Sequence, residues 1–354
     1  MIPFLRISLV AVLLGCMLPQ PSSAADPKPL KVGIVGLDNY QAVAFTQLFH
    51  DPKATGDLKG IRVVAAYPGG SPDIKESVES LPKWVAAIKE FGVELVDSID
   101  KVVEKADAIL IMSLDGRVHR AQFNAVANSG KPVYIGRPMA AALVDVVAMF
   151  DLAKEKKAPL FSCSQHRFSP GFSGMKNHPE VGTVLGCSVY GGCVTEPHHP
   201  DLFWHAVHGI ETLYTIMGAG CESVTRASTA DAELVTGVWK DGKIGTFRGI
   251  NKGAIKYRAM VFGEKGISPS GDYGYDVPKN WVAPHGEYMG YKGVAIEIAK
   301  FFRSGQAPVS PAETIEIFTF MEAAHRSKEQ KGVPIRLSEV LIDAQKKASD
   351  PKPK

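Results

Sequence analysis

The sequence has 354 residues, 45% hydrophobic and 22% charged, which suits about two globular domains with ordinary cores. Its 40 basic and 37 acidic side chains leave a net charge of +3. That near balance excludes an electrostatic footprint for nucleic acid or for an anionic membrane surface.

The first segment, "MIPFLRISLVAVLLGCML", carries one early arginine, Arg6, ahead of an apolar core too short to span a bilayer comfortably. "PQPSSAAD" then places small residues on both sides of Ala24. This reads as a secretory signal peptide over residues 1–24, cut after Ala24 or Ala25, so the mature chain is expected to be periplasmic or secreted with no membrane span. An uncleaved anchor fits less well. So does a lipid on Cys16, because Leu14 suits a lipoprotein box poorly. A single arginine points to the general export route rather than the twin-arginine one. Cleavage leaves Cys163, Cys187, Cys193 and Cys221, with no CxxC pair, so disulfides are permitted but a zinc–cysteine site is not indicated.

From Leu30 to about Ser164, short apolar runs alternate with helical periodicity. Strands are expected at residues 31–35 ("KVGIV"), 61–67 ("IRVVAAY"), "VELV", 107–113 ("DAILIMS"), "VYI" and "PLFSCS". Helices are expected at residues 42–50 and 83–92, at "SIDKVVEKA", at residues 117–130, and at "ALVDVVAMFDLAKEKK". Strands apolar throughout, alternating with helices, imply a doubly wound parallel sheet covered on both faces. The expected limits of this domain are residues 30–165.

After Gln165 the chain turns polar and rich in Gly, Pro and His to about Pro200. A helix follows at "LFWHAVHGIETLYTIMG", then strand-like runs, among them "VWKDGKIGTF" with Asp241-Gly242 at a hairpin turn. Two closing helices, "YKGVAIEIAKFFRSG" and "PAETIEIFTFMEAAHRSKEQKG", complete an expected second domain over residues 166–345 with an open, mostly antiparallel sheet. The tail "QKKASDPKPK" reads as a solvated end.

The first βα turn is "GIVGLDNYQAVAF". Gly33 and Gly36 keep a GxxG spacing, where a tight bend lets a helix N-terminus face a pyrophosphate. Val35 and Asp38 break the full G-x-G-x-x-G pattern, and Asp38 and Asn39 are candidates to cap the helix or to hold a hydroxyl. The second strand ends in Tyr67 rather than in an acid, followed by "PGGSPD", so NAD and NADP are equally compatible. After the strand at 107–113, Ser113 and Asp115 are candidate ribose or nicotinamide contacts, with His119 in the next helix. "VYIGRP" ends a strand in Gly136-Arg137-Pro138, where proline keeps Arg137 extended.

With "KVGIVG", "DAILIMSLDGRVHRAQFNAVANSGKPVYIGRPMAAALVDVVAMFDLAKEKKAPLFSCSQHRF" and "FWHAVHGIETLYTIMG" quoted, the chain resembles the Gfo/Idh/MocA oxidoreductases, relatives of glucose–fructose oxidoreductase and inositol dehydrogenase. The resemblance spans nearly all of residues 30–332. It implies an α/β fold: an N-terminal Rossmann domain plus a C-terminal α/β domain whose open sheet often supports oligomers. It also implies NAD(P)-dependent hydride transfer on a sugar or cyclitol hydroxyl, with Pro138 beside the cofactor.

The site departs from the family pattern. Members usually carry an acid and then Lys-Pro where this chain has Gly136, Arg137 and Pro138. Arginine stays protonated, so Arg137 keeps the charge without relaying a proton. Many members carry Asp four residues before the histidine matched by His208, and here Trp204 stands there. His208 is then the candidate general acid/base. His205, His208 and Glu211 share a helix at i, i+3 and i+6. His205, His166 and Arg167 are candidate substrate contacts.

Three functions remain open on the sequence. The first is an exported sugar oxidoreductase with a tightly held cofactor. The second is a Rossmann-fold carbohydrate-binding protein that has lost hydride transfer. The third is a metal-assisted sugar lyase or hydrolase, resting on Glu196, His198, His199, Asp201, His205, His208 and Glu211.

Overall fold

The computed structural model describes residues 29–271 and 290–349; the expected signal segment lies outside the described residues. Strands β1 (Leu30–Val35), β2 (Ile61–Tyr67), β3 (Glu94–Leu95), β4 (Ala108–Ile111), β5 (Val133–Ile135) and β6 (Leu160–Ser162) form one parallel sheet in the order β3-β2-β1-β4-β5-β6. That is the doubly wound Rossmann order, with its switch between β1 and β4. Period-two alternation divides the strands between two cores. Ile109, Ile111, Val133 and Ile135 face one cluster with Val102, Phe123 and Val146. Leu110, Tyr134 and Phe161 face the other with Phe45 and Phe49. Helices α1 (Tyr40–His50), α2 (Lys75–Glu90), α3 (Ile99–Lys105), α4 (His119–Ala127) and α5 (Leu143–Lys156) supply the covering layers.

The second sheet joins β7 (Val184–Gly192), β8 (Cys221–Ser228), β9 (Ala232–Trp239), β10 (Ile244–Ile250), β11 (Arg258–Gly263), β12 (Ile267–Pro269) and β13 (Ile335–Arg336) in the order β12-β11-β7-β10-β9-β8-β13. Its pairs are antiparallel except β7 with β10. The hairpin between β9 and β10 turns at Asp241-Gly242, with Gly242 left-handed at φ 81°. The short α6 (Pro170–Ser173) precedes β7, and α7 (Val207–Met217) and α9 (Pro311–Glu329) pack on this sheet. A face of the sheet leaves Val238, Ile244, Met260, Phe262 and Ile267 exposed.

Three features differ from the sequence reading. The polar stretch before Pro200 contains β7, a central strand of the second sheet. Helix α8 (Lys292–Ser304) lies within the expected second domain but packs on the first sheet. Its Val294, Ala295, Ile298 and Phe301 join the Phe45–Tyr134 core, with the rings of Phe161 and Phe301 4.7 Å apart. The first four residues of the expected solvated tail continue α10 (Leu337–Ala348). Cys163, Cys187, Cys193 and Cys221 are all free and buried, and burial pushes the Cys193 and Cys221 thiols up to about 12.

Helix α7 approaches the second sheet at Gly209. A Cβ there would lie 2.2 Å from the Phe247 ring of β10. Gly209→Ala is expected to destabilise the fold by about 1–3 kcal/mol through overpacking, measured by chemical denaturation. An unchanged midpoint would show that the two elements do not meet as described.

Candidate functional site

The loops after β1, β2 and β4 meet at the carboxyl edge of the first sheet, where open α/β sheets bind ligands. Gly36 has φ 93°, and a Cβ on it would lie 2.3 Å from the Ser113 backbone nitrogen. Its N–H donates to the Tyr67 carbonyl, and the Leu37 N–H donates to the Pro68 carbonyl. Asp38 turns inward and is buried. Its carboxylate accepts from Ser77 Oγ at 2.6 Å and from the Leu114 N–H at 3.0 Å. Asn39, not Asp38, caps α1, its Oδ1 accepting from the Gln41 N–H. Gly33 lies inside β1 rather than at the turn. Its missing side chain makes room for Val102 of α3.

A charged network closes around the end of β2. Asp115 accepts from Ser71 Oγ at 2.7 Å and from the backbone and side chain of Arg117, which also grips Asp73. Burial works against the Asp115 charge. Hydrogen bonds from Arg117 and Ser71 oppose it, and the carboxyl is held well below the usual range. The Gly116 N–H donates to His199 Nε2 at 3.1 Å, so the segment before α7 is clasped to the loop after β4. His119 is fully buried, its ring nitrogens 3.1 Å from the Met139 carbonyl and 2.8 Å from that of Ser113. It braces the loops after β4 and β5 and cannot touch a cofactor directly. Ser113 Oγ accepts from Gln122 at 2.8 Å.

Arg137 follows β5, with a cis bond to the buried Pro138. Its guanidinium points into the protein rather than into an open cleft. Nη2 pairs with Glu211 of α7, and the group lies 5.2 Å over the Phe318 ring of α9. Glu211 also accepts from Arg167 Nε, and Arg167 Nη2 stands 2.7 Å from Glu313. Thus Arg137, expected in a catalytic place, and Arg167, expected on substrate, are both committed to one buried carboxylate. Burial alone would raise the Glu211 pKa, and the two arginines bring it below its ordinary value. Glu211 therefore does not share the cleft with His205 and His208.

A polar group gathers where β6 leads into the 3-10 turn Gln165–Phe168. Ser164 Oγ lies 2.7 Å from His208 Nδ1 and accepts the His166 N–H at 3.1 Å. His166 Nδ1 lies 3.2 Å from Thr212 Oγ1, and its ring sits 5.2 Å from that of His208 and 4.6 Å from that of Tyr257. Burial holds the His166 pKa down to about 3. His208 is half-buried. Burial, then His166, His205 and Arg137, keep it well below the usual histidine value. His205 lies in a π-helical turn, Leu202–Ala206, ahead of α7 and stacks beside Trp204. The structure thus brings His166, His205 and His208 near one another. Ser164, Thr212 and Tyr257 join them, and none of those three had a sequence signal beyond its residue type.

The residues on which the metal-assisted alternative rests are dispersed. Asp201 binds Arg226 and Lys328, Glu196 lies between His198 and His199, and Glu211 binds the arginines. Among the described residues no group of three or more His, Cys, Asp or Glu is placed to hold a metal ion.

Residues 30–163 match the model of the oxidoreductase family with a NAD-binding Rossmann fold, Gfo/Idh/MocA. They are a Gfo/Idh/MocA-family domain. A myo-inositol 2-dehydrogenase from Thermotoga maritima is 26% identical over 184 residues, 45% of this chain and 55% of the relative. The chain thus spans about half the length of the curated relatives it matches. The fold extends further. A probable dehydrogenase from Thermotoga maritima superposes with a TM-score of 0.69 at 19% identity, over 88% of this chain and 100% of its own. A myo-inositol dehydrogenase from Lactobacillus casei, solved with NAD(H) and myo-inositol, gives 0.66 at 15% identity, over 87% and 96%.

The turn residues fit the family's NAD. Gly36 lets the turn pass close against Ser113 and leads to the capped N-terminus of an eleven-residue helix. Asp38 takes its charge inward. The backbone N–H groups of residues 38–40, at the start of α1, would face the pyrophosphate, and Tyr67 and Leu114 would flank the sugars.

The Glu211 pairing has a pH signature. A carboxyl that titrates below its ordinary 4.5 when folded stabilises the protein fully above that value. The contribution drains away as pH falls through the lower folded value. Glu211→Gln should cost about 3–5 kcal/mol near neutrality, because the buried Arg137 guanidinium loses its carboxylate and Arg167 keeps only Glu313. It should also flatten stability against pH below about 4.5. Equal acid sensitivity in both proteins would show that Glu211 is not the group responsible.

Proposed function

We propose that the protein is an exported NAD(H)-dependent oxidoreductase acting on a hydroxyl-bearing carbon of a sugar or cyclitol, with the cofactor held tightly. The observation that carries this reading is His208. It is an imidazole met at Nδ1 by Ser164, in a half-buried residue of a chain with a NAD-binding domain. Bound NAD would supply the hydride acceptor.

His208 exchanges the proton of the substrate oxygen. Burial and cationic or imidazole neighbours keep it neutral at physiological pH, so what it can do for a substrate depends on which ring nitrogen carries the hydrogen. Arg137 takes no proton step. Its pairing with Glu211 fixes the strand end and the helix that bears His208 in one geometry. His166 and Tyr257 wall the group, with Gly191 and Gly192 leaving room for the Tyr257 ring. The cyclitol or sugar class is supported by the relatives' inositol dehydrogenase names. Export is supported by the first 24 residues, and a tightly held cofactor follows from the lack of an exchangeable nicotinamide pool outside the cytoplasm.

A binding-only reading is favoured by one observation, the withdrawal of Arg137 from any proton relay. His208→Gln separates the two. Turnover of a sugar or cyclitol with NAD should fall about 10²- to 10⁴-fold with NAD binding retained. Unchanged turnover removes His208 from the chemistry.

The apolar face of the second sheet supports a homo-oligomer, because Ile244, Phe262 and Ile267 are exposed side by side. Phe262→Asp is expected to shift the protein to a monomer in light scattering. A wild-type protein already monomeric at high concentration rules the assembly out.

A further inference from the structure

The hydrogen bonds around His208 specify where its proton sits. Thr212 Oγ1 donates to the His208 carbonyl one turn back at 3.0 Å. Its single hydrogen is then spent, so at 3.2 Å from His166 Nδ1 it can only accept. His166 therefore carries its hydrogen on Nδ1. Ser164 comes next. Its oxygen accepts the His166 backbone N–H at 3.1 Å, which uses one lone pair. Its hydroxyl hydrogen must still find an acceptor, because Ser164 is fully buried and an unmade bond there is costly. Among the described residues the acceptor in reach is His208 Nδ1, at 2.7 Å.

We infer that Ser164 donates to His208 Nδ1 and so holds the resting imidazole as the Nε2–H tautomer, which presents a hydrogen-bond donor to the cleft. Ser164 is a positioning residue, acting through His208. Taken with the oxidoreductase reading, on which this consequence rests, the resting site is arranged for a carbonyl oxygen. A keto sugar or keto cyclitol accepts from Nε2–H, and that bond polarises the carbonyl toward hydride addition.

Oxidation of a hydroxyl needs a bare Nε2 to take the substrate proton. The hydrogen must first leave Nε2 and another arrive on Nδ1, with the Ser164 hydroxyl turned so that its oxygen accepts. Ser164 then loses its own acceptor. The resting protein should therefore bind the keto form more tightly than the corresponding alcohol.

The test is nitrogen NMR on protein labelled with ¹⁵N-histidine, reading two- and three-bond couplings to the ring protons at neutral pH. His208→Gln identifies the His208 signals among those of the 10 histidines. The expected pattern is an unprotonated Nδ1 and a protonated Nε2 for His208. His166 should show the opposite pattern. Ser164→Ala should move the two His208 shifts toward the averaged values of a free imidazole, and Ser164→Thr should restore the wild-type pattern. A protonated Nδ1 on wild-type His208, or a Ser164→Ala spectrum unchanged at His208, overturns the inference. If Ser164→Ala does not fold, the wild-type spectrum decides alone. The two readings fail separately. An Nε2–H ring in a protein that neither binds nor turns over nicotinamide dinucleotide removes the oxidoreductase reading and leaves the tautomer standing. Turnover with an Nδ1–H ring does the reverse.

Discussion

One buried carboxylate ties the two sheets together. Glu211, on the helix that packs over the second sheet, accepts from Arg137 beyond β5 and from Arg167 beyond β6 of the first. Two positive groups on one negative group, all shielded from water, interact strongly, and separating them would strand charges in a poor solvent. The pairing therefore fixes the height and rotation of α7 against the carboxyl ends of two adjacent strands. His208 lies one turn before Glu211 on that helix, so its place opposite Ser164 follows from the same constraint.

The cost of this arrangement falls on chemistry. A cation at the end of β5 can either face a substrate or hold a neighbouring domain, and here it does the second. In the proposed reaction proton exchange falls to His208, whose ring meets Ser164 and is held below the usual histidine value by burial and by His166, His205 and Arg137. The π-helical turn before α7 belongs to the same design. It re-aims Trp204 and His205 where a regular helix would have continued, and Asp201 at its start is anchored to Arg226 and Lys328. The segment before it reaches back to the first sheet through His199 and Gly116.

Much of the fold was legible in the sequence because burial on both faces leaves apolar runs that only a covered parallel strand explains. "IRVVAAY" matches β2 residue for residue, and "VYI" matches β5. Strand β7 was hidden for the opposite reason. "VLGCSVYGG" spends three of its nine residues on glycine, some of them to make room for Tyr257, so it lacks a strand's composition. Helix α8 was found as a helix, but nothing in its periodicity says which sheet it will cover. At the site, residue identity revealed His208, Gly36 and Arg137 as points of interest. Direction was not legible. Whether Arg137 faces a cleft or a glutamate 74 positions away depends on tertiary packing, as does the inward turn of Asp38. Gly33 misled because a close helix–strand contact and a phosphate turn both demand glycine. Ser164 and Thr212 carried no local signal, since their roles exist only once β6 and α7 lie side by side.

The proposed reaction requires this chain to hold a nicotinamide dinucleotide at the edge of its first sheet. The most direct measurement is to purify the protein, denature it, and quantify released dinucleotide by absorbance and mass. Release in proportion to protein, or full loading of cofactor-free protein by added NAD(H), is the predicted result. A protein that releases none and takes up none when NAD(H) is supplied would contradict the account and leave a Rossmann fold without its reaction.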